Sequence, residues 1–160
     1  MKANQNRLGP FSLAARLVGV SEAMELTLTE PGLMRTLLEK CTAFLTAYAR
    51  AFKAAGADGL IMAEPAAGLL SPRGLLAFSS SSIKQIGAAL EDGHFALILH
   101  NCAAKVLHLP AILETGLKNF HGCFFVSHPA GTKRAAFPQK PLRGVVANGN
   151  SREYCGGQFV

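Results

Sequence analysis

Ala55-Gly-Ala-Asp-Gly-Leu-Ile-Met-Ala-Glu64 is the stretch whose reading decides the fold. Gly56 is a helix stop, because glycine tolerates the left-handed backbone with which helices end. Gly59 to Ala63 then form a short apolar run of the kind buried on both faces of a parallel sheet, and the run ends in an acid, Glu64. Upstream, Thr29-Glu30-Pro31 is a helix start, a polar cap with proline in the first turn. Between start and stop, Leu33, Met34, Leu37, Leu38, Cys41, Phe44, Leu45, Tyr48 and Phe52 recur at three- and four-residue steps. The spacing predicts an amphipathic helix of about six turns feeding a buried strand.

The same alternation continues downstream. A helix is expected over Pro72 to Leu90, although Ser79 to Ser82 and Gly87 disfavour it, followed by a strand over Phe95 to Leu99. Lys105 to Thr115 reads as a helix closed by Gly116, and Asn119 to Val126 as another strand. A proline-bounded helix over Ala130 to Lys140 and a last apolar strand over Gly144 to Ala147 complete the pattern. Strands separated by helices form a parallel α/β sheet, and right-handed crossovers put all strand ends on one side. Glu64, His100, Cys102 and Cys123 would gather there, where open sheets and α/β barrels carry their active sites. A full eightfold barrel takes about 250 residues. This chain of 160 has four to five parallel βα units, so it is an open sheet or part of a barrel.

The strand near Leu97 runs into His100-Asn-Cys102. Residues two apart on a strand share a face, so imidazole and thiol leave the chain together. Zinc binds both donor types, and a catalytic zinc has three protein ligands with one open position, so two donors begin a site without completing it. The alternative is a hydrogen-bonded histidine at a strand end beside a small buried cysteine.

The apolar fraction of 49% and mean hydropathy of +0.24 exclude a disordered chain. No apolar run approaches the roughly 18 residues of a membrane span, and the polar start MKANQNR leads into no apolar leader segment, so a cytoplasmic protein without membrane contact is expected. Cys41, Cys102, Cys123 and Cys155 form no dense framework, which favours reduced thiols or metal ligands over disulfides. Of the net charge of +6, residues 1–128 carry +2 and the basic tail 129–160 carries +4. Lys133, Arg134, Lys140 and Arg143 have no aromatic interleaving, so they read as a solvated surface and no nucleic-acid partner is expected.

Gly9-Pro-Phe-Ser-Leu-Ala-Ala-Arg-Leu-Val-Gly19, Ala55 to Pro65, Leu70-Ser-Pro72 and Leu97-Ile-Leu-His-Asn-Cys102, in this order and spacing, resemble the uroporphyrinogen decarboxylase superfamily. Within it they look closest to the methylcobamide:coenzyme M methyltransferases. The likeness covers about residues 8–120, with a fainter echo at Val145 to Asn150. It implies a partial TIM (β/α)8 barrel, a single domain over 1–160 that lacks the first strands and the C-terminal end. In the methyltransferase branch a His-x-Cys pair and a later cysteine hold zinc, which binds a thiol substrate; His100 and Cys102 match the pair. Glu64 matches an acidic position that implies a catalytic base or a further zinc ligand, while read alone it caps the turn at Pro65. Cys123, Cys155, His121 and His128 read as ordinary residues, and His94 and His108 as surface ones.

Three functions follow. The resemblance implies zinc-dependent methyl transfer from a methylcorrinoid co-substrate, carried on a corrinoid protein, to a small-molecule thiol. It equally implies, in its other branch, decarboxylation of a tetrapyrrole, uroporphyrinogen, in porphyrin biosynthesis, although the decarboxylases' tyrosine position is occupied by Arg16. The third is an inactive truncated barrel fragment, with sheet edges and apolar helix faces left uncovered.

Overall fold

The computed structural model describes residues 5–92, 94–125 and 153–156 of the protein. Its frame is one sheet in the order β1-β2-β3-β4-β5, formed by β1 Gln5–Leu8, β2 Gly59–Ala63, β3 Ala96–Asn101, β4 Asn119–Phe125 and β5 Glu153–Gly156. β1 to β4 are parallel, and β5 returns antiparallel against β4. Helices α1 Pro10–Val18, α2 Val20–Thr29 and α3 Pro31–Ala54 cross from β1 to β2; α4 Pro72–Leu75 and α5 Ser81–Leu90 cross from β2 to β3; α6 Leu109–Leu113 precedes β4. This is the expected α/β architecture, part of a (β/α)8 barrel, with four parallel strands.

α3 is the expected long helix. Pro31 occupies its first turn, and Gly56 turns the chain out of it at φ +85°. Its buried stripe is Met34, Leu38, Cys41, Leu45 and Ala49, whereas Leu33 and Phe44 are exposed. β2 follows as predicted, and β3 runs two residues beyond its expected end, so His100 and Asn101 belong to the strand itself.

Three elements went unread in the sequence. β1 is polar, Gln-Asn-Arg-Leu, and exists because its backbone pairs with β2, from Gln5 opposite Leu60 to Leu8 opposite Ala63. The pair α1 and α2 was also missed; Gly19, at φ +99°, separates them. The serine run does not break its helical segment. Instead Leu76–Ser80 forms a π turn joining α4 to α5, in which Ser79 and Ser80 are buried. Such wide turns let a helix carry an inserted residue without ending. The Ser80 hydroxyl donates to the Ala111 carbonyl at 2.6 Å, tying the turn to α6.

The core lies between the sheet and the helices. Leu60 and Met62 of β2 stand in register with Leu97 and Leu99 of β3, and all four join the buried cluster of α1, α3, α5 and α6. Their alternates Ile61, Ala63, Ile98 and His100 lie outside that cluster. By strand alternation they occupy the opposite face, which in a closed barrel is the interior.

His108 corrects an expectation. Predicted at the surface, it is 2% exposed. Its Nδ1 accepts the Lys105 N–H at 2.9 Å and its Nε2 donates to the Leu70 carbonyl at 2.9 Å, which joins the loop after β3 to the loop after β2. Two ring partners let an imidazole be buried without an unsatisfied polar atom. His94 is exposed as expected. The helix expected at 130–140, the strand expected at 144–147, His128 and the tail cations Lys133, Arg134, Lys140 and Arg143 lie outside the described residues.

Candidate functional site

The candidate site is the C-terminal end of β2 and β3. Ala63 and His100 are opposite one another in the ladder, and the Glu64 N–H extends it by donating to the His100 carbonyl at 2.7 Å. Glu64 and His100 are therefore held by adjacent backbone, yet their side chains serve opposite faces of the sheet.

Glu64 is fully buried on the helix side. Its Oε1 accepts the Phe11 N–H at 3.0 Å, and its Oε2 accepts the Ser12 N–H at 2.9 Å and the Ser12 hydroxyl at 2.7 Å. The Ser12 hydroxyl accepts in turn from the Ala66 N–H at 3.2 Å. Glu64 thus caps the N-terminus of α1, whose first N–H groups have no partner inside the helix. It does not cap the turn at Pro65. Burial pushes its carboxyl up to about 7, against the opposing pull of Ser12, Phe11 and Ser79. Burial also raises the Cys41 thiol, and the nearby Glu64 charge adds to that rise.

Gly9 makes this close approach possible. A Cβ at Gly9 would stand 2.5 Å from Glu64 Cγ and 2.6 Å from its Cδ, so no other residue fits beside the carboxylate. The glycine N–H donates to the Ala63 carbonyl at 2.7 Å, which pins the start of α1 to the end of β2.

His100 is half-buried on the opposite face, and Cys102 is an exposed free thiol in the turn that follows. Asn101, between them, is 2% exposed, and its Oδ1 accepts the Ala103 N–H at 3.2 Å. That bond closes an Asx turn and carries Cys102 out of the strand. Gly68 supports the turn from below: a Cβ there would come within 2.5 Å of the Ala103 carbonyl carbon. Asn101 and Gly68 are the functional-site residues that motif reading missed. A buried amide one residue before a turn was the available signal for Asn101.

Beyond β3, the ladder pairs His100 with His121 and Asn101 with Gly122 on β4. His121-Gly-Cys123 repeats the His-x-Cys pattern of His100-Asn-Cys102 one strand away. Cys123 pairs with Cys155 on β5. Arg16 is exposed on α1.

The donor chemistry at this edge fits zinc. Imidazole and thiolate are its usual nitrogen and sulfur ligands. The fit is to part of a ligand set, because among the described residues no group of three His, Cys, Asp or Glu side chains forms a metal cluster.

Comparison with known proteins places this sheet edge in context. The pattern of the family described as Uroporphyrinogen decarboxylase (URO-D) matches residues 6–144. The chain belongs to the uroporphyrinogen decarboxylase family. It is similar to the methylcobamide:CoM methyltransferase MtaA of Methanosarcina barkeri, with 31% identity over 112 residues, covering 69% of this chain and 32% of that protein. A solved structure, a methyltransferase from Methanosarcina mazei, superposes with a TM-score of 0.65 at 26% identity, covering 72% of this chain and 34% of that one. The chain thus spans about a third of the length of these two relatives. Among the described residues no helix is long and apolar enough to cross a membrane.

Proposed function

We propose that this chain contributes to a cytoplasmic methyltransferase that moves a methyl group from a methylcorrinoid, carried by a partner protein, to a small-molecule thiol. The observation that carries the reading is the His100/Cys102 pair at the C-terminal end of β3, in a chain similar to a methylcobamide:CoM methyltransferase. His100 and Cys102 are the residues assigned to hold zinc. When bound, the metal supplies Lewis acidity that lowers the pKa of a coordinated thiol, and the thiolate is the nucleophilic form.

The chain's own residues build the place where this happens. Cys102 is exposed, so a thiol substrate has access from solvent. Asn101 and Gly68 fix the turn that presents it. Ile98 and Ala63 lie on the His100 face of the sheet and form an apolar floor beside it, which limits water around the site. Glu64, matched by resemblance to an acidic catalytic position, enters as a positioning residue: its carboxylate anchors α1 and the end of β2, next to the His100 backbone.

Metal analysis of the purified chain and of His100→Ala and Cys102→Ser tests the reading. Zinc in the wild type that is lost in both variants is expected; a wild type as free of zinc as the variants ends it. The family description favours one second reading, decarboxylation of uroporphyrinogen. Incubation with that tetrapyrrole should then release carbon dioxide, and a chain that neither holds zinc nor releases carbon dioxide is an inactive part of the barrel.

A further inference from the structure

We infer that His108 is a positioning residue for Cys102: its imidazole clamps the loop that presents the thiol to the loop that follows β2, an inference that rests on the proposed use of Cys102 but not on a bound metal.

Cys102 leaves β3 in the Asx turn closed by Asn101 and Ala103, and the chain then runs through the buried Ala104 to a short 3-10 turn, Val106–His108. There His108 holds both backbone groups of Lys105: its N–H donates to the Lys105 carbonyl at 2.9 Å, and its Nδ1 accepts the Lys105 N–H at 2.9 Å. Its Nε2 reaches the other way, to the Leu70 carbonyl at 2.9 Å in the loop after β2. The same two loops meet again where Gly68 lies against the Ala103 backbone, too close for any Cβ. The segment from Ala103 to His108 is therefore fixed at both ends to 68–70, and Cys102 stands beside one of those ends.

Packing alone would not place an imidazole here. A phenylalanine would fill the volume and make neither bond, whereas an imidazole can be buried only with its nitrogens satisfied. The partners also fix the proton. A backbone N–H only donates and a carbonyl only accepts, so Nδ1 is bare and Nε2 carries the hydrogen. What the clamp secures is the position of an exposed thiol, and a misplacement of about 1 Å at a reacting group can cost about 100-fold in rate.

Two conservative variants part the two bonds. An asparagine places its amide oxygen near the Nδ1 position and keeps the Lys105 bond, while a glutamine reaches the Nε2 position and keeps the Leu70 bond. A nitroxide label on Cys102, in a chain carrying Cys123→Ser and Cys155→Ser, reports the order of the turn; Cys41 is buried and stays unlabelled. Against that background His108→Asn is expected to mobilise the label and to speed amide exchange about tenfold over 102–105 and, across the clamp, over 68–70, the upper range for one lost hydrogen bond. His108→Gln should leave the label and 68–70 as they are in the background chain. Unchanged exchange over 68–70 in His108→Asn, or a label equally mobile in both variants, overturns the inference. If His108→Asn does not fold, nitrogen NMR of the wild-type ring decides: a hydrogen on Nε2 supports the clamp, and one on Nδ1 refutes it. Zinc analysis of the same wild type keeps the two readings apart. A chain that holds no zinc but shows the difference between the variants loses the metal and keeps the clamp, whereas one that holds zinc without that difference loses the clamp alone.

Discussion

Replacing Glu64 by glutamine should make the stability of this protein respond to pH in a way that isolates one buried carboxyl. In the wild type both oxygens accept from the start of α1: Phe11 N–H on one, Ser12 N–H and hydroxyl on the other. A glutamine offers one acceptor oxygen and one NH2 group, so at least one backbone N–H loses its partner inside the core. An orphaned buried donor costs about 1–3 kcal/mol. Against this stands the cost of burying charge. The Glu64 carboxyl is raised from its ordinary 4.5 to about 7 because desolvation outweighs the bonds from Ser12 and Phe11.

The folded state therefore holds its proton across a range in which the unfolded chain has released it. Where the native state binds more protons, stability falls as pH rises. The contribution is fully present below pH 4.5 and is lost as pH climbs to about 7, a fall of about 3 kcal/mol at 1.36 kcal/mol per pH unit. Glu64→Gln has no proton to lose. It should be less stable than wild type at acidic pH, and the gap should close or reverse by neutrality. Urea unfolding followed by circular dichroism, across that range for both proteins, measures the gap. A difference that is flat in pH, or that widens toward neutrality, would refute the reasoning: it would mean that the N-terminus of α1 stabilises the anion more than burial opposes it.

Three further outcomes follow from the same geometry. Gly9→Ala places a Cβ 2.5 Å from Glu64 Cγ and should destabilise by about 1–3 kcal/mol; combined with Glu64→Ala most of that cost should vanish, a coupling that a double-mutant cycle in urea reads directly. Gly68→Ala must displace the Ala103 backbone and with it the Cys102 turn, so zinc affinity should fall about tenfold, as for loss of a supporting partner; Asn101→Ala, which opens the same turn, should behave alike in a chelator titration. His108→Phe leaves the Lys105 N–H and the Leu70 carbonyl without a partner and should cost about 2–4 kcal/mol in thermal unfolding, where a surface histidine would cost nothing measurable.

The helix from Pro31 to Ala54, the strand from Gly59 to Ala63 and the strand carrying His100 are legible in the order of residues alone, because each depends on signals local to the chain: a capped start, a glycine stop, a 3.6-residue apolar period or an unbroken apolar run. That His100 and Cys102 stand two apart is legible too, but β3 ends at Asn101 and Cys102 lies in the turn beyond it, so the shared-face relation expected of a strand does not reach the cysteine. β1 is not, because its four polar residues are a strand only by virtue of the β2 backbone beside them. Nor is the burial of His108, which depends on a carbonyl 38 positions earlier. Glu64 shows the division most plainly. Its place after a strand can be read from the sequence, but which of the two faces its carboxylate serves depends on where α1 comes to rest, 52 and 53 positions away. Local periodicity thus determined the elements and the order in which donors appear. The partners that bury, cap or complete those donors were decided by the tertiary structure, because hydrogen bonds and packing act between groups close in space however far apart they lie along the chain.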